Sequence, residues 1–568
     1  MVGRTLNICL VNPACQDQRI NPEDSLAVPI GIYYIAAVLK ANGFNVEVIN
    51  LAVEHEPDAY FAWIIQKHQP DLIGFSVMSA TRMSGIRAAR IARQSFTQST
   101  IVFGGPFATF MPEPLLNANP EIDFIVKGEG EITFLELAQS LEEGHPKVTE
   151  KIDGLAYRKG GQVIHTATRE VIQNLDDLPH PSEYFSFQHL SMSRGCPGKC
   201  TFCGSPKFWG HDEVRFHSPA WFADEIQALH QQDVRHFFIS DDTFTFDRDR
   251  VITLCRELIS RDLDITWNAI SRVDRLDEEM LVWMRKAGCI QISFGVESGS
   301  EVIRRHLGKP VQEEEIIRAF SLCTSLGIMP RAYFIYGSPG ETKDTIQESV
   351  DLMLRIKPLS AIFYILVLFP GTFLYQRALD KSWINDGIWD ENLEDLPWFE
   401  LDPNLDFERV KSFGDTLRTS FFNNLEQFVS NIDLRDDPSL YRFHSDFLSR
   451  LAMTFSHGDY AQNPSVSNTA KIALNLYQKA LDYHPDFRAY LGLGMLYMKQ
   501  KQFKDAILIL NRGLEHFKDH EDLTICMALN HMNLGDFALA LTFLEPVRNL
   551  PKARKYIDIC NQKLGAAT

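Results

Sequence analysis

The stretch RGCPGKCTFC, residues 194–203, carries three cysteines in a C-x3-C-x2-C pattern. On one short loop, Cys196, Cys200 and Cys203 have a spacing that suits three thiolates bound to an iron-sulfur cluster. Three thiolates leave one iron of a four-iron cluster open, and an open iron can bind a substrate. A zinc site with His211 as the fourth ligand is the alternative that the loop alone allows.

The composition is that of a folded protein with several domains. The chain has 568 residues, of which 45% are apolar and 23% charged, and this length is too great for one hydrophobic core. A formal net charge of −18 without a compensating basic run disfavours a nucleic-acid substrate. The longest apolar run, residues 361–369, is far shorter than the roughly 20 residues of a membrane-spanning helix, so we expect no membrane span.

The cysteines and the first residues favour a cytoplasmic protein. Seven of the ten cysteines are scattered singly, which does not suggest a disulfide framework. The N-terminus leads into a strand-like segment and lacks the apolar stretch of a signal peptide.

Residues 1–150 alternate short apolar runs with amphipathic stretches. This rhythm predicts a doubly wound, Rossmann-like parallel sheet with a ligand crevice beyond the carboxyl ends of its strands. The predicted strands are residues 6–11, 44–49, 72–77, 101–104 and 122–126, and the predicted helices include 30–41 and 84–95.

Small and polar residues follow three of these strands. Glycine lets a backbone approach a bulky ligand closely, and small hydroxyl residues can donate hydrogen bonds to it, so we expect a small-molecule crevice. The candidate binding residues are Ser76, Ser79, Gly104, Gly105, Gly128 and Glu129.

These strand ends, with Asn12-Pro13, Pro29-Ile30-Gly31 and the run PDLIGFS at residues 70–76, resemble the cobalamin-binding domain that precedes many radical S-adenosylmethionine cores. The resemblance implies cobalamin at the six candidate residues. Residues 12–19 read NPACQDQR and lack the D-x-H-x-x-G motif, which implies a lower cobalamin face without a histidine ligand and favours methyl transfer to a carbon radical. A degenerate domain that only packs against the core is the alternative.

Beyond a predicted connecting segment, residues 151–183, the strand-helix rhythm resumes. Together with the segment leading into Cys196, it gives six strand-helix units, which favours a partial parallel (β/α)6 barrel with its chemistry at the carboxyl ends of the strands. The predicted strands are residues 237–240, 266–270, 290–294, 331–336 and 361–368.

Polar residues recur at these strand ends. Asp241 and Asp242 offer carboxylates to the ammonium of an amino acid moiety, Ser271 offers a hydroxyl, and Glu297 is a candidate acceptor for ribose hydroxyls. Their order, followed by GSPGET at residues 337–342 and PGT at 370–372, closely resembles the radical S-adenosylmethionine core.

That resemblance implies a [4Fe-4S] cluster on Cys196, Cys200 and Cys203, whose open iron binds S-adenosylmethionine before cleavage to a 5′-deoxyadenosyl radical. It implies S-adenosylmethionine contacts at Phe202, Asp242, Ser271 and Glu297, and an external electron donor of the flavodoxin or ferredoxin type. The zinc alternative then loses its support. The chain has no second clustered cysteine set, so we expect no auxiliary cluster.

The last third of the sequence is helical. Residues 406–468 are rich in phenylalanine and predict a helical cap on the barrel. From residue 469 to 568, small and apolar residues recur at an offset of 34, as in Gly494 and Ala528, or Ala506 and Ala540. This period resembles the tetratricopeptide repeat, which would recruit a protein or peptide partner or merely mediate packing.

The predicted organisation is a cobalamin domain (1–150), a linker (151–183), a radical core (184–405), a cap (406–468) and repeats (469–568). The leading functional hypothesis is a cobalamin-dependent radical S-adenosylmethionine methyltransferase acting on an unactivated carbon. A radical cyclase of the anaerobic porphyrin type and a catalytically idle scaffold are the alternatives. Whether the substrate is a small molecule, a lipid or a peptide stays open.

Overall fold

The computed structural model describes residues 6–15, 27–144, 150–210, 213–389 and 400–565, together with Leu396 and Trp398. Two large sheets built mainly of parallel strands, a two-stranded antiparallel ribbon and a helical tail make up this part of the chain.

The first sheet and its covering helices occupy residues 7–165. Their elements are β1 (Asn7–Asn12), α1 (Ile30–Ala41), β2 (Asn45–Asn50), α2 (Pro57–His68), β3 (Leu72–Ser76), α3 (Arg82–Ser95), β4 (Thr100–Gly104), α4 (Pro106–Phe110), α5 (Pro112–Ala118), β5 (Phe124–Val126), α6 (Glu131–Glu142), β6 (Leu155–Lys159) and β7 (Gln162–His165). The strand order is β2-β1-β3-β4-β5-β6-β7, with β1 to β5 parallel. The order reverses between β1 and β3, and a ligand crevice opens beyond that switch point.

The predicted connecting segment is partly sheet. β6 pairs antiparallel with β5, and β7 pairs antiparallel with β6, so both strands extend the first sheet. Leu155, Ala156 and Tyr157 are buried, and Gly160 and Gly161 both have a positive φ, as a two-residue hairpin turn requires. Residues 155–165 of the predicted connecting segment therefore form a hairpin of the first sheet, with its turn at the Gly-Gly pair.

The second sheet forms the predicted partial barrel. Its unit comprises β8 (His189–Leu190), β9 (Ser193–Arg194), α7 (Ser205–Phe208), β10 (Arg215–Phe216), α8 (Pro219–Gln231), β11 (His236–Ile239), α9 (Arg248–Ser260), β12 (Thr266–Ser271), α10 (Glu278–Lys286), β13 (Cys289–Glu297), α11 (Glu301–His306), α12 (Glu313–Ser325), β14 (Met329–Tyr336), α13 (Lys343–Ile356), β15 (Ser360–Ile365) and α14 (Phe373–Asp380). Six parallel strands pair in the order β15-β14-β13-β12-β11-β8. Successive strands with helical crossovers confirm the parallel α/β architecture.

The tail consists of helices. They are α15 (Phe407–Ser430), α16 (Tyr441–Ser456), α17 (Asp459–Gln462), α18 (Thr469–Tyr483), α19 (Phe487–Lys499), α20 (Phe503–His516), α21 (Glu521–Asn533), α22 (Phe537–Leu544) and α23 (Pro551–Gly565).

The helices of residues 406–468 pack along the last strands of the barrel, from the carboxyl end of β14, where Arg418 donates to the Tyr336 hydroxyl, to the amino ends of β14 and β15. The hydroxyl of Tyr460 donates to the carbonyl of Leu359 at 2.7 Å, just before β15. The backbone N–H of Arg435 donates to the carbonyl of Ser325 at 2.9 Å, shortly before β14. Phe421 is buried with its ring 6.1 Å from that of Phe363 on β15. The phenylalanines of this region therefore pack against the barrel.

Small residues let the repeat helices approach each other closely. A Cβ on Gly494 would lie 2.7 Å from the Leu510 side chain, and one on Gly513 would lie 2.8 Å from Tyr490. Ala506, Ala528 and Ala540 are fully buried. The spacing that predicted paired helices thus corresponds to their contact positions.

Candidate active site

The cysteine loop begins directly after β9, and glycines shape it. Gly195 has a φ of +104°, and a Cβ there would lie 2.6 Å from the carbonyl oxygen of Glu213, so only glycine fits. The N–H of Gly198 donates to Cys196 Sγ at 3.4 Å. A Cβ on Gly198 would lie 3.2 Å from Cys196 Sγ and 3.9 Å from Cys200 Sγ, so the two sulfurs flank this glycine.

The surroundings of the cysteines suit metal-bound sulfur. Burial raises the pKa of the Cys200 thiol, and the nearby cations Lys309 and Arg272 oppose that shift. Cys203 is exposed at the loop surface, yet the surrounding protein still desolvates its thiol and raises the pKa to about 12. A bound metal would displace the protons of these thiols, and three cysteines on one loop are the donor set of an iron-sulfur cluster.

The zinc alternative gains no support. In the part of the chain that the structure describes, no group of three or more histidine, cysteine or acidic side chains is placed to hold a single metal ion. His211, its proposed fourth ligand, lies outside the described residues, as does the stretch from residue 16 to 19 of the segment that lacks a lower-ligand histidine.

The two aspartates after β11 occupy different environments. Asp241 is buried, accepts a hydrogen bond from the N–H of Met192 at 2.9 Å and another from the Ser193 hydroxyl. Burial raises its pKa to about 7. Asp242 lines a cavity and accepts from the Ser205 hydroxyl at 2.5 Å. Asp241 therefore holds the strand before the cysteine loop, and Asp242 faces the ligand space.

The other predicted S-adenosylmethionine contacts lie near the same mouth of the barrel. Ser271 is the last residue of β12, and its hydroxyl forms a hydrogen bond with the hydroxyl of Thr245. Glu297 ends β13 with a φ of +63°, a conformation that costs about 1–3 kcal/mol for a non-glycine residue and is typical of functional sites. The ammonium of Lys309 lies 2.7 Å from its carboxylate. Phe202 is half-buried in the cysteine loop.

A cavity of about 560 Å³ lies between the two sheet units. The first sheet lines it with Ser76, Ser79, Gly104, Gly105 and Gly128. The barrel unit contributes residues that include Asp242, Phe208 and Trp209. Its volume lies within the ~300–1,000 Å³ of ligand pockets. The same cavity is lined by residues predicted to contact cobalamin and by Asp242, which is predicted to contact S-adenosylmethionine.

Glu129, the sixth predicted cobalamin residue, is committed to another contact. Its carboxylate accepts from Arg194 at 2.8 Å, from Arg215 at 3.0 Å and from the N–H of Ile172 at 2.8 Å. The cavity lining includes its neighbours Gly128 and Gly130 but not Glu129. Its side chain therefore ties the first sheet to the barrel unit. The two arginines lower its pKa against the effect of burial.

Sequence reasoning did not find the apolar lining of this cavity. Met78, Phe110, Phe208 and Trp209 contact the space between the sheets, and no spacing pattern marks them. The arginine partners of Glu129 were missed for the same reason, since Arg194 is 65 positions away.

Comparisons with known proteins match the same parts of the chain. A model of the radical SAM superfamily matches residues 190–353, and a B12 binding domain matches residues 24–138. A tetratricopeptide repeat matches residues 469–524. None of the described helices is both long and apolar enough to span a lipid bilayer.

Relatives cover most of the two sheets. An uncharacterized methyltransferase of Pyrococcus horikoshii is 30% identical over 68% of this chain and 86% of its own length. An anaerobic magnesium-protoporphyrin IX monomethyl ester cyclase of Rubrivivax gelatinosus is 30% identical over 63% of this chain and 67% of its own. The radical S-adenosylmethionine methyltransferase TsrM of Kitasatospora setae, solved with cobalamin and a [4Fe-4S] cluster bound, shares the fold with a TM-score of 0.61 at 17% identity, over 84% of this chain and 100% of its own.

The cofactors follow from the matched domains: a [4Fe-4S] cluster, S-adenosylmethionine and cobalamin. With both modules matched and most of the Pyrococcus relative covered, the chain belongs to the cobalamin-binding radical S-adenosylmethionine enzymes.

Proposed function

We propose that this chain is a methyltransferase that transfers a methyl group to an unactivated carbon of a small molecule. The observation that carries the proposal is the cavity of about 560 Å³ lined by both the glycine-rich ends of the first sheet and the cysteine-loop face of the barrel. When bound, the cluster and S-adenosylmethionine supply a 5′-deoxyadenosyl radical, and methylcobalamin supplies the methyl group.

The residues of the chain position these groups. Cys196, Cys200 and Cys203 would hold the cluster by three thiolates. Asp242, Ser271, Glu297 and Phe202 would contact S-adenosylmethionine, with Lys309 fixing the Glu297 carboxylate at 2.7 Å.

The corrinoid would lie against the first sheet. Gly105 has a φ of +87°, and a Cβ there would lie 2.9 Å from the carbonyl of Val77, so the turn after β4 requires glycine and leaves its backbone open to a ligand. Ser76, Ser79, Gly104 and Gly128 line the same space. Glu129 would act through the ion pairs that fix this surface against the cysteine loop.

The proposal extends to the reductant, the location, the repeats and the domain division. We propose a flavodoxin- or ferredoxin-type protein as the reductant and a cytoplasmic location, the latter supported by a sequence whose cysteines outside the loop are scattered singly and form no disulfide framework. The repeats would bind a protein or peptide. We also retain the five-domain division of the sequence, with the hairpin of β6 and β7 assigned to the first sheet.

The test is anaerobic purification of the full chain after expression with cobalamin. We expect bound corrinoid near one per chain and 5′-deoxyadenosine from the reduced enzyme with S-adenosylmethionine. Absence of stoichiometric corrinoid would contradict the methyltransferase, and absence of 5′-deoxyadenosine would favour the scaffold alternative.

A second candidate is a radical cyclase, favoured by the 30% identity to the Rubrivivax enzyme. S-adenosylmethionine labelled in its methyl group separates the two reactions. The methyltransferase places the label in the product, whereas cyclisation leaves the product unlabelled.

A further inference from the structure

A second cavity, of about 310 Å³, occupies the interior of the barrel. Every second residue of a strand points to the same face of a sheet, so alternate residues of the barrel strands line this lumen. The lining from β11 to β14 consists of Phe238, Ile239, Asn268, Ala269, Ile270, Gln291, Ser293, Arg331 and Tyr333.

The lumen adjoins the cofactor cavity. Pro29, Ile30 and Met78 of the first sheet unit line both spaces. A molecule in the lumen would therefore reach the boundary where the radical and the methyl donor of the proposed function meet.

The lumen carries an uncompensated positive charge. The Nε of Arg331 donates to the Ser360 hydroxyl at 3.1 Å. No carboxylate is among the described residues that line the lumen. A half-buried guanidinium favours an anion with which it can form two parallel hydrogen bonds.

His236, a second basic group at this depth, does not change that balance. Burial, with Arg450 and His189 nearby, lowers the pKa of His236 to about 4, so its ring is neutral at pH 7. His189 stacks on Phe238 with ring centroids 4.7 Å apart and forms a flat wall. Among the described lining residues, Arg331 is the side chain that keeps its charge at any pH near neutrality.

One buried acceptor in the lumen also needs a partner. The Oδ1 atom of Asn268 is buried without a hydrogen-bond partner, and its residue lies in register with Gln291 on the neighbouring strand. A buried amide oxygen normally accepts a hydrogen bond from protein, water or ligand, and the protein supplies no donor here. A substrate N–H or O–H would supply it.

We propose that this lumen is the substrate site and that the substrate is a small organic anion, with its carboxylate or phosphate held by Arg331 and an N–H or O–H donated to Asn268. The inference rests on the proposed function for the reaction and adds the class of the substrate. Arg331 is the third residue of β14 and Tyr336 the last, so the anionic end sits roughly 16 Å below the carboxyl ends of the strands. The body of the molecule extends from there towards the cofactors.

The size of the lumen agrees with a small substrate. About 310 Å³ is at the lower end of the ~300–1,000 Å³ range of ligand pockets, so a tetrapyrrole would exceed it.

The test uses the full chain, purified anaerobically with its cofactors, and three flat probes measured by calorimetry. Benzoate tests a carboxylate, phenyl phosphate a phosphate, and benzamide is the neutral counterpart of benzoate. We expect at least one anion to bind tenfold or more tightly than benzamide, and the tighter anion names the acidic group. Equal binding of all three, or no binding of either anion, would overturn the proposal.

Variants assign the binding to Arg331. Arg331→Gln should weaken the preferred anion at least tenfold, and Arg331→Lys, which keeps the charge, should retain part of the affinity. Arg235→Gln is the matched control, because Arg235 is exposed and paired with Asp233 at 3.1 Å. Unchanged affinity in Arg331→Gln would overturn the assignment.

A measurement on the unaltered protein covers the case in which Arg331→Gln does not fold. Phenylglyoxal modifies accessible arginines, and the preferred anion should protect Arg331 in a peptide map; lack of protection contradicts the proposal. Release of 5′-deoxyadenosine, measured on the same preparation without probe, tests the proposed function alone, so the two failures are distinguishable.

Discussion

The guanidinium of Arg194 lies 2.8 Å from the carboxylate of Glu129 and thereby joins the cysteine loop to the first sheet. Its second nitrogen lies 2.6 Å from the carboxylate of Glu131. The guanidinium carbon lies 4.9 Å from the ring centroid of Tyr34 and 5.6 Å from that of Trp209. All three charged side chains are buried. The residue before Gly195 is thus held between two carboxylates of the other unit.

Replacing Arg194 by glutamine should destabilise the chain strongly. The change leaves Glu129 and Glu131 buried with less positive charge, and loss of one partner from a buried ion pair costs about 3–5 kcal/mol. Urea unfolding measures the change in the free energy of unfolding. Arg305→Gln is the control, because its exposed pair with Glu301 contributes only about 0.2–1 kcal/mol. Equal effects of the two variants would contradict the role of Arg194.

Removing one thiol of the cysteine loop should remove the cluster. Cys203→Ala leaves two thiolates, too few to hold four irons stably, so we expect most of the iron and all S-adenosylmethionine cleavage to be lost. Iron analysis of anaerobically purified protein measures this. Cys560→Ala in α23 should keep its iron, because Cys560 is a buried structural thiol far along the chain. Retained iron in Cys203→Ala would refute the ligand assignment.

A side chain at Gly104 should exclude the corrinoid without disturbing the sheet. The nearest atom to a Cβ there is the carbonyl oxygen of Val126 at 3.6 Å, an ordinary contact, and Gly104 lines the cavity. Gly104→Val should therefore fold and bind cobalamin at least tenfold more weakly, which corresponds to about 1.4 kcal/mol. Gly565→Val is the control, with nothing within 4 Å of its Cβ. Corrinoid content equal to that of the control would place the cofactor elsewhere.

Stability should fall in mild acid because of His217. Burial, with a smaller contribution from Arg194, lowers its pKa from 6.5 to about 3. The unfolded chain therefore binds a proton below about pH 6.5 while the folded chain does not, and stability is lost as the pH falls from 6.5 towards 3. His217→Gln should flatten this dependence.

Urea midpoints measured from about pH 7 to about pH 5 would show the slope. His55→Gln, a change at an exposed histidine, should leave the slope of the unaltered protein. A slope that persists in His217→Gln would assign the acid sensitivity to other groups.

Strand ends could be predicted from sequence because glycine and polar residues interrupt apolar runs there. Ser76, Gly104 and Gly128 were found in this way, and they line one cavity. Glu129 has the same sequence context, yet its partner Arg194 is distant in sequence and no local pattern couples them. Long-range ion pairs of this kind become visible only in three dimensions.

The polar side chains of the lumen leave a pattern in the sequence of β12 and β13. In β12 and β13, polar Asn268, Gln291 and Ser293 alternate with buried apolar residues, although strands covered on both faces are usually apolar throughout. That alternation indicates a polar interior. In β14, Arg331 likewise alternates with buried apolar residues.

The contact between the tail and the barrel has a thermodynamic consequence. One continuous hydrophobic cluster extends from Phe237 in β11 through Phe447 in the cap to Met527 in α21. Groups that share a core lose their packing together, so the barrel, the cap and the first repeat helices should melt as a single cooperative unit. Heat would dismantle the radical site and its tail in one step, and a ligand bound at the repeats would raise the melting temperature of the barrel.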